Sequence, residues 1–302
     1  MATEHRSRRY SGLDAWEPSD ILDVLVEGQL AAVAAVRAAR RSIESAVLAM
    51  EERLKGGSGR LVYAGAGTSG RLAVQDGAEL TPTFSWPGDR LVLLIAGGDE
   101  ALLQAVEGAE DEGERGGERV REHRVGPDDV LIAVAASGTT PFTLTCLREA
   151  KRLGALTIGV ANNPDTPLLK EADHGVWLDT GPEAIAGSTR LKAGTAQKIT
   201  LNLLSSLLMI RLGRVYDGLM VDVQPTNKKL VRRSENMLMQ LTDRDRAEVR
   251  AALDQANGSV KLAVLLLQGC SVEEAAAALE DADGQLRGAL RSVQERNAGL
   301  ED

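Results

Sequence analysis

Between residues 60 and 180 the chain alternates short, almost wholly apolar runs with longer amphipathic stretches. The runs are RLVYAG from 60, RLVLLIAGG from 90, DVLIAVAAS from 129, ALTIGVANN from 155 and HGVWLDT from 174. A strand that is apolar at every position is buried on both faces, and the chain between these runs is long enough for crossovers. The pattern therefore predicts an α/β fold with a five-stranded parallel sheet flanked by helices. Before it, Ser19 to about Leu54 is rich in Ala, Leu, Val, Arg and Glu, with Pro18 and Ser19 as a start and Gly56-Gly57 as a stop; this predicts two helices in succession. A long apolar helix is expected from about Ser188 to Leu212. From 225 onward there is no strand signal. There Thr242, Ser259 and Ser271 are candidate N-caps, Gly258 and Gly269 are stops, and Ser271 with Glu274 forms a capping box, so a small helical bundle is expected. The Gly- and Glu-rich stretch at 110–119 reads as an exposed break between two helical segments. The expected division is an N-terminal helical segment at 1–55, a sheet domain at 56–221 and a C-terminal helical domain at 222–302.

Composition narrows the class. The 302 residues are 43% hydrophobic but only 3% aromatic, which suits an α/β or helical protein better than a β-sandwich. A formal net charge of −9 argues against a general grip on nucleic acid, and the basic stretch NKKLVRRS at 227–234 lies in an otherwise acidic region. No window is long and apolar enough for a membrane span or a signal peptide, so a cytoplasmic location is expected. Cys146 and Cys270 lack partners at metal-ligand spacing and read as buried thiols; no metal is expected. His5, His123 and His174 are scattered, which weighs against a Ser-His-Asp hydrolase.

The candidate chemistry lies at two strand ends. The first run enters Gly65-Ala-Gly-Thr-Ser-Gly70, and the third enters Ala136-Ser-Gly-Thr-Thr-Pro141. Glycines let backbone amides approach an anion, helix starts favour negative charge, and short hydroxyls donate to phosphate oxygens. Gly65, Gly67 and Gly70 satisfy the dinucleotide spacing, but the acidic residue about 20 positions on that would hold a ribose is missing: Asp99 comes 29 positions after Gly70. Neither loop has the Gly-Lys-Ser/Thr of an ATP site. Two matching loops point instead to a small phosphorylated ligand.

A strand ending in G-T-S-G and another ending in S-G-x-T resemble the sugar isomerase domain, a family of phosphosugar-binding modules, over about residues 56 to 220. GPEAIAGSTRLKAGTAQK at 181–198, TEHR at 3–6 and VQPTNKKL at 223–230 extend the likeness to nearly the whole chain. They resemble the N-acetylmuramic acid 6-phosphate etherases and their regulatory relative, the glucokinase regulatory protein. The resemblance implies a lyase of cell-wall amino-sugar recycling that needs no cofactor. It releases D-lactate and N-acetylglucosamine 6-phosphate by opening the ring, removing the C2 proton, expelling lactate from C3 and adding water. It also implies a homodimer. A non-catalytic phosphosugar sensor and an aldose-ketose phosphosugar isomerase are the alternatives.

The family's two catalytic glutamates map onto Glu79, in DGAELTPT, and Glu110, in VEGAEDE. Two carboxyls of different pKa can serve as base and acid. Glu79 is expected to protonate the departing lactate and Glu110 to act as base; the choice of Glu110 among its acidic neighbours rests on the resemblance. Thr68, Ser69, Ser137 and Thr140, with the amides of Gly70 and Gly138, are the expected phosphate ligands. Ser188, Thr189, Arg190 and Lys192, placed at the start of the long helix, are expected to meet the sugar or its lactyl carboxylate. The family often has Arg where this chain has Thr139, so one electrostatic contact with substrate is missing from the pattern.

Overall fold

The computed structural model describes residues 1–223 and 228–298. Of the 223–230 stretch, residues 224–227 lie outside the described residues. The chain forms two compact units, one of residues 1–79 and 87–206, the other of 80–86 and 207–302.

The first unit opens with α1 (Pro18–Ala38) and α2 (Arg40–Leu54), the two successive helices expected. Proline at the first helical position of α1 gives up an amide that has no partner there in any case. On α2 the residues Ile43, Ala46, Val47, Met50 and Leu54 recur at helical spacing and are all buried. The chain then runs through β1 (Leu61–Gly65), α3 (Gly67–Ala78), α4 (Leu80–Phe84, which belongs to the second unit), β2 (Leu91–Ile95), α5 (Gly113–Glu122), β3 (Val130–Val134), α6 (Pro141–Arg152), β4 (Leu156–Ala161), α7 (Pro167–Glu171), β5 (His174–Trp177) and α8 (Lys192–Arg211, whose residues from 207 on belong to the second unit). The strands form one parallel five-stranded sheet in the order β2-β1-β3-β4-β5. Every residue of β1, β3 and β4 is buried, as their unbroken apolar runs require.

That order fixes where a ligand goes. From β1 the chain crosses to one side and from β3 to the other, so the loops after these neighbouring strands diverge and leave a crevice at their carboxyl ends. Gly65 stands opposite Val134 in the register, which brings residues 66–70 and 135–140 side by side.

Two expectations are corrected in this unit. Residues 113–122 are helical, and the interior glycines Gly116 and Gly117 are buried. A β-carbon on Gly116 would stand 2.3 Å from the Phe142 carbonyl oxygen, so these glycines let α5 lie against α6. Contact with a neighbouring helix has overridden their poor helix propensity. The long helix starts at Lys192 rather than Ser188, for a reason given below.

The second unit carries a two-stranded antiparallel hairpin, β6 (Val215–Tyr216) and β7 (Leu219–Met220), which the apolar pattern was too short to reveal. Asp217 and Gly218 both take positive φ at its turn, as a two-residue hairpin loop demands. The bundle comprises α9 (Lys228–Thr242), α10 (Arg246–Gln255), α11 (Val260–Leu266), α12 (Val272–Asp281) and α13 (Leu286–Ala298), around Met237, Leu238, Val249, Leu253, Val264 and Leu265. Ser259 caps α11, and Ser271 with Glu274 caps α12 reciprocally. Thr242 is no N-cap: its hydroxyl donates to the Leu238 carbonyl at the end of α9, and Asp245 with Glu248 forms the capping box of α10.

Candidate functional site

A polar cleft of about 230 Å³ lies at the carboxyl ends of β1 and β3. Gly67, Thr68 and Ser69 line it from the first loop, Ala135, Ala136, Ser137 and Thr140 from the second, and Glu110, Thr189 and Glu4 close it.

The first wall follows from glycine. Ala66 is extended and Gly67 has φ +52°, so the chain leaves β1 and begins α3 in a single step. The amides at the start of a helix have no intrahelical acceptors, and Gly67, Thr68 and Ser69, the first residues of α3, line the cleft at the positive end of its dipole. The Gly70 amide, expected to bind phosphate, instead donates to the Ala66 carbonyl at 3.0 Å. Gly70 serves by lacking a side chain, as a β-carbon there would stand 2.8 Å from the Gly65 carbonyl oxygen.

In the second wall, Ser137 Oγ and Thr140 Oγ1 lie 3.2 Å apart, and the Thr139 amide donates to Ser137 Oγ. The Gly138 amide is also taken, by the Ala135 carbonyl at 3.1 Å. Gly138 has φ +69°, and a β-carbon on it would meet Thr166 Oγ1 at 2.3 Å. The second loop thus offers the hydroxyls of Ser137 and Thr140 to the cleft, with the Gly138 and Thr139 amides already engaged. Behind it the Asn163 side chain donates to the Ala136 carbonyl at 2.9 Å, and the Asn162 amide donates to the same oxygen at 3.1 Å.

Glu110 sits in a single 3₁₀ turn, Ala109–Asp111, entered through Gly108 at φ +74°. Its neighbour Ala109 is buried in the core, which pins the turn and leaves the Glu110 carboxyl exposed at the cleft. Glu79 stands elsewhere. It is the exposed C-terminal cap of α3, eleven residues beyond Thr68 on a helix whose other end forms the cleft wall. At ~1.5 Å per residue the two are roughly 16 Å apart. Within one chain the two glutamates do not face each other across the cleft.

Of the 188–192 group only Thr189 lines the cleft. Gly187 turns the chain at φ +76°, and the Thr189 amide donates back to its carbonyl. The first amides of α8 are then taken by a side chain from nine and ten residues upstream: Glu183 accepts from Lys192 N–H at 3.2 Å and Ala193 N–H at 2.9 Å. This carboxylate defines the helix start at Lys192. Glu183 is 1% exposed and Lys192 is 7% exposed. Burial pushes the Glu183 carboxyl up, against the two amides and the Lys192 charge that favour its ionised form, and burial pushes the Lys192 ammonium down. Lys192 lies beside Gly28 of α1 and does not line the cleft. Arg190 is exposed and does not line the cleft; Ser188, half-buried, does not either.

Residues 42–151 match the family model of the glucokinase regulatory protein N-terminal SIS domain, and residues 111–207 match that of the SIS domain. The N-acetylmuramic acid 6-phosphate etherase of Deinococcus radiodurans is 54% identical over 289 residues, covering 95% of this chain and 94% of that one. The protein of the same name from Symbiobacterium thermophilum is 45% identical over 88% of each chain. N-acetylmuramic acid 6-phosphate etherase 2 of Vibrio cholerae is 42% identical over 98% of this chain and 96% of its own. Among solved structures, a phosphoheptose isomerase from Francisella tularensis is similar at a TM-score of 0.50 and 18% identity, over 65% of this chain and all of that one, a likeness of fold alone. With such identity sustained over nearly the full length of both chains, the protein belongs to the N-acetylmuramic acid 6-phosphate etherase family.

Proposed function

We propose that this chain cleaves the D-lactyl ether of N-acetylmuramic acid 6-phosphate, giving N-acetylglucosamine 6-phosphate and D-lactate, as a cytoplasmic enzyme of cell-wall sugar recycling. The observation that carries the reading is the 54% identity to an etherase over almost the whole chain. The cleft supports it, because amides and hydroxyls fit for a phosphate share one space with a carboxyl.

In this reading the 6-phosphate lies on the amides of Gly67, Thr68 and Ser69 and takes hydroxyl donors from Thr68, Ser69, Ser137 and Thr140. Thr189 meets the sugar. Once the ring opens, the C1 aldehyde acidifies the C2 proton, Glu110 removes it, and the C3–O bond breaks with its electron pair leaving on lactate. Glu79 supplies the proton to that oxygen, and water then adds across the C2–C3 double bond at C3 while C2 is reprotonated.

The distance of Glu79 from the cleft of its own chain supports a site shared by two chains. We assign the working enzyme as a homodimer in which the Glu79 of a second copy faces the Glu110 cleft of the first. Leu22, Val26, Leu30 and Val33 form one helical stripe on α1, and each is more than half exposed in the single chain. Such a stripe is an apolar helix face in want of a partner. Incubating the purified protein with N-acetylmuramic acid 6-phosphate and assaying D-lactate tests the activity. Conversion of a sugar phosphate to its isomer without lactate would replace this reading with an isomerase.

A further inference from the structure

Of the segment TEHR at 3–6, Glu4 lines the cleft and Thr3 anchors it. Thr3 is fully buried. Its hydroxyl accepts from Asn163 Nδ2 at 3.0 Å, its amide donates to Asn163 Oδ1 at 3.4 Å, and its carbonyl accepts from the Gly187 amide at 3.1 Å. The same Asn163 amide group donates to Ala136 in the second loop. One side chain thus ties the 1–5 segment to the phosphate-binding wall, and the Gly187 bond ties it to the turn that presents Thr189. The next residue, Glu4, lines the cleft. Its carboxylate lies over Gly187, where a β-carbon would come within 3.0 Å of Glu4 Oε2.

A carboxylate at this place has restricted uses. It repels a phosphate and a lactyl carboxylate, both anionic, and it can only accept hydrogen bonds. What remains on a sugar phosphate is its neutral donors, the hydroxyls and the acetamido N–H. We infer that Glu4 is a substrate-binding residue that accepts a hydrogen bond from such a donor and so reads the sugar rather than its phosphate. This rests on the reading of the cleft as a sugar-phosphate site.

The test is calorimetric binding of two probes, N-acetylglucosamine 6-phosphate and inorganic phosphate, to the full-length protein and its Glu4→Ala and Glu4→Gln variants. Glu4→Ala should weaken the sugar phosphate about tenfold or more, since a charge-assisted bond is lost, and leave inorganic phosphate unchanged or tighter. Glu4→Gln, which keeps an acceptor without the charge, should fall between. Thr3→Val, which leaves the carboxylate but removes its anchor, should weaken the sugar phosphate in the same selective way. Equal weakening of both probes by Glu4→Ala would show a merely structural strap and overturn the inference, as would no change in either. Wild-type protein that binds neither probe would defeat the sugar-phosphate reading itself, whereas wild-type binding with an indifferent Glu4→Ala defeats only the role of Glu4.

Discussion

Gly65 and Gly70 are in backbone contact: a β-carbon on either would stand 2.8 Å from a main-chain atom of the other. This contact seats the start of α3 against the end of β1, and the cleft wall depends on it. Gly70→Ala should therefore cost about 2 kcal/mol or more in urea unfolding, because the clash is with backbone that cannot rotate away. Phosphate affinity should fall with it. Gly67→Ala tests a different cause at the same loop, since nothing crowds that position and only its φ of +52° resists a side chain. Its effect on stability should be the smaller, about 1 kcal/mol.

Glu110→Gln should lower kcat by roughly 10²–10⁴ while leaving the unfolding midpoint unchanged, because the residue is exposed and its turn is held by Ala109. Product binding should persist, since the groups proposed to hold the phosphate are untouched.

Glu79→Ala and Glu110→Ala should each be inactive alone, and mixing the two after co-refolding should restore activity. Random pairing makes half the dimers mixed, and each mixed dimer has one complete site of two, so about a quarter of wild-type turnover is expected. Failure of the mixture to recover would place both glutamates at a single-chain site and refute the shared one.

Much of this was legible in the sequence, for identifiable reasons. Strands buried on both faces leave unbroken apolar runs, so β1, β3 and β4 can be read directly, and Ser137 and Thr68 fall at strand ends in consequence. The helicity of α5 could not be read, because Gly116 and Gly117 lower local propensity and are explained only by the Phe142 carbonyl of another helix. The start of α8 was hidden for a related reason. Its cap is Glu183, nine residues upstream, where capping rules search only the adjacent position. The separation of Glu79 from Thr68 was available from helix length alone. Glu4 was not, since its place in the cleft depends on Asn163, 160 residues from Thr3.

Glu183→Ala should destabilise the first unit by about 1–3 kcal/mol, since it frees two helix amides and removes one of the negative charges near the buried Lys192. Glu183→Gln, which keeps an acceptor for the amides, should recover part of that loss in thermal unfolding. An unchanged midpoint in Glu183→Ala would mean the carboxylate does not hold the start of α8.

The pH dependence of stability has a defined contributor in Glu149. Hydrogen bonds from Arg152, then Arg121, hold its carboxyl at about 2, below the ordinary 4.5. A carboxyl depressed on folding stabilises the folded state above its unfolded pKa, and that contribution disappears as pH falls from 4.5 through about 2. Glu149→Gln should therefore be less stable than wild type at pH 7 by on the order of 1 kcal/mol, discounted because both guanidiniums are exposed. The difference should shrink steadily as unfolding is measured at pH 4, 3 and 2.

The most direct test of the central claim is turnover of N-acetylmuramic acid 6-phosphate in heavy water, with D-lactate assayed enzymatically and the sugar by mass spectrometry and NMR. The expected result is one D-lactate per N-acetylglucosamine 6-phosphate, with deuterium at C2 of the sugar, because the proton Glu110 removes is replaced from solvent. Substrate recovered intact, or lactate released with the original C2 hydrogen retained throughout, would contradict it.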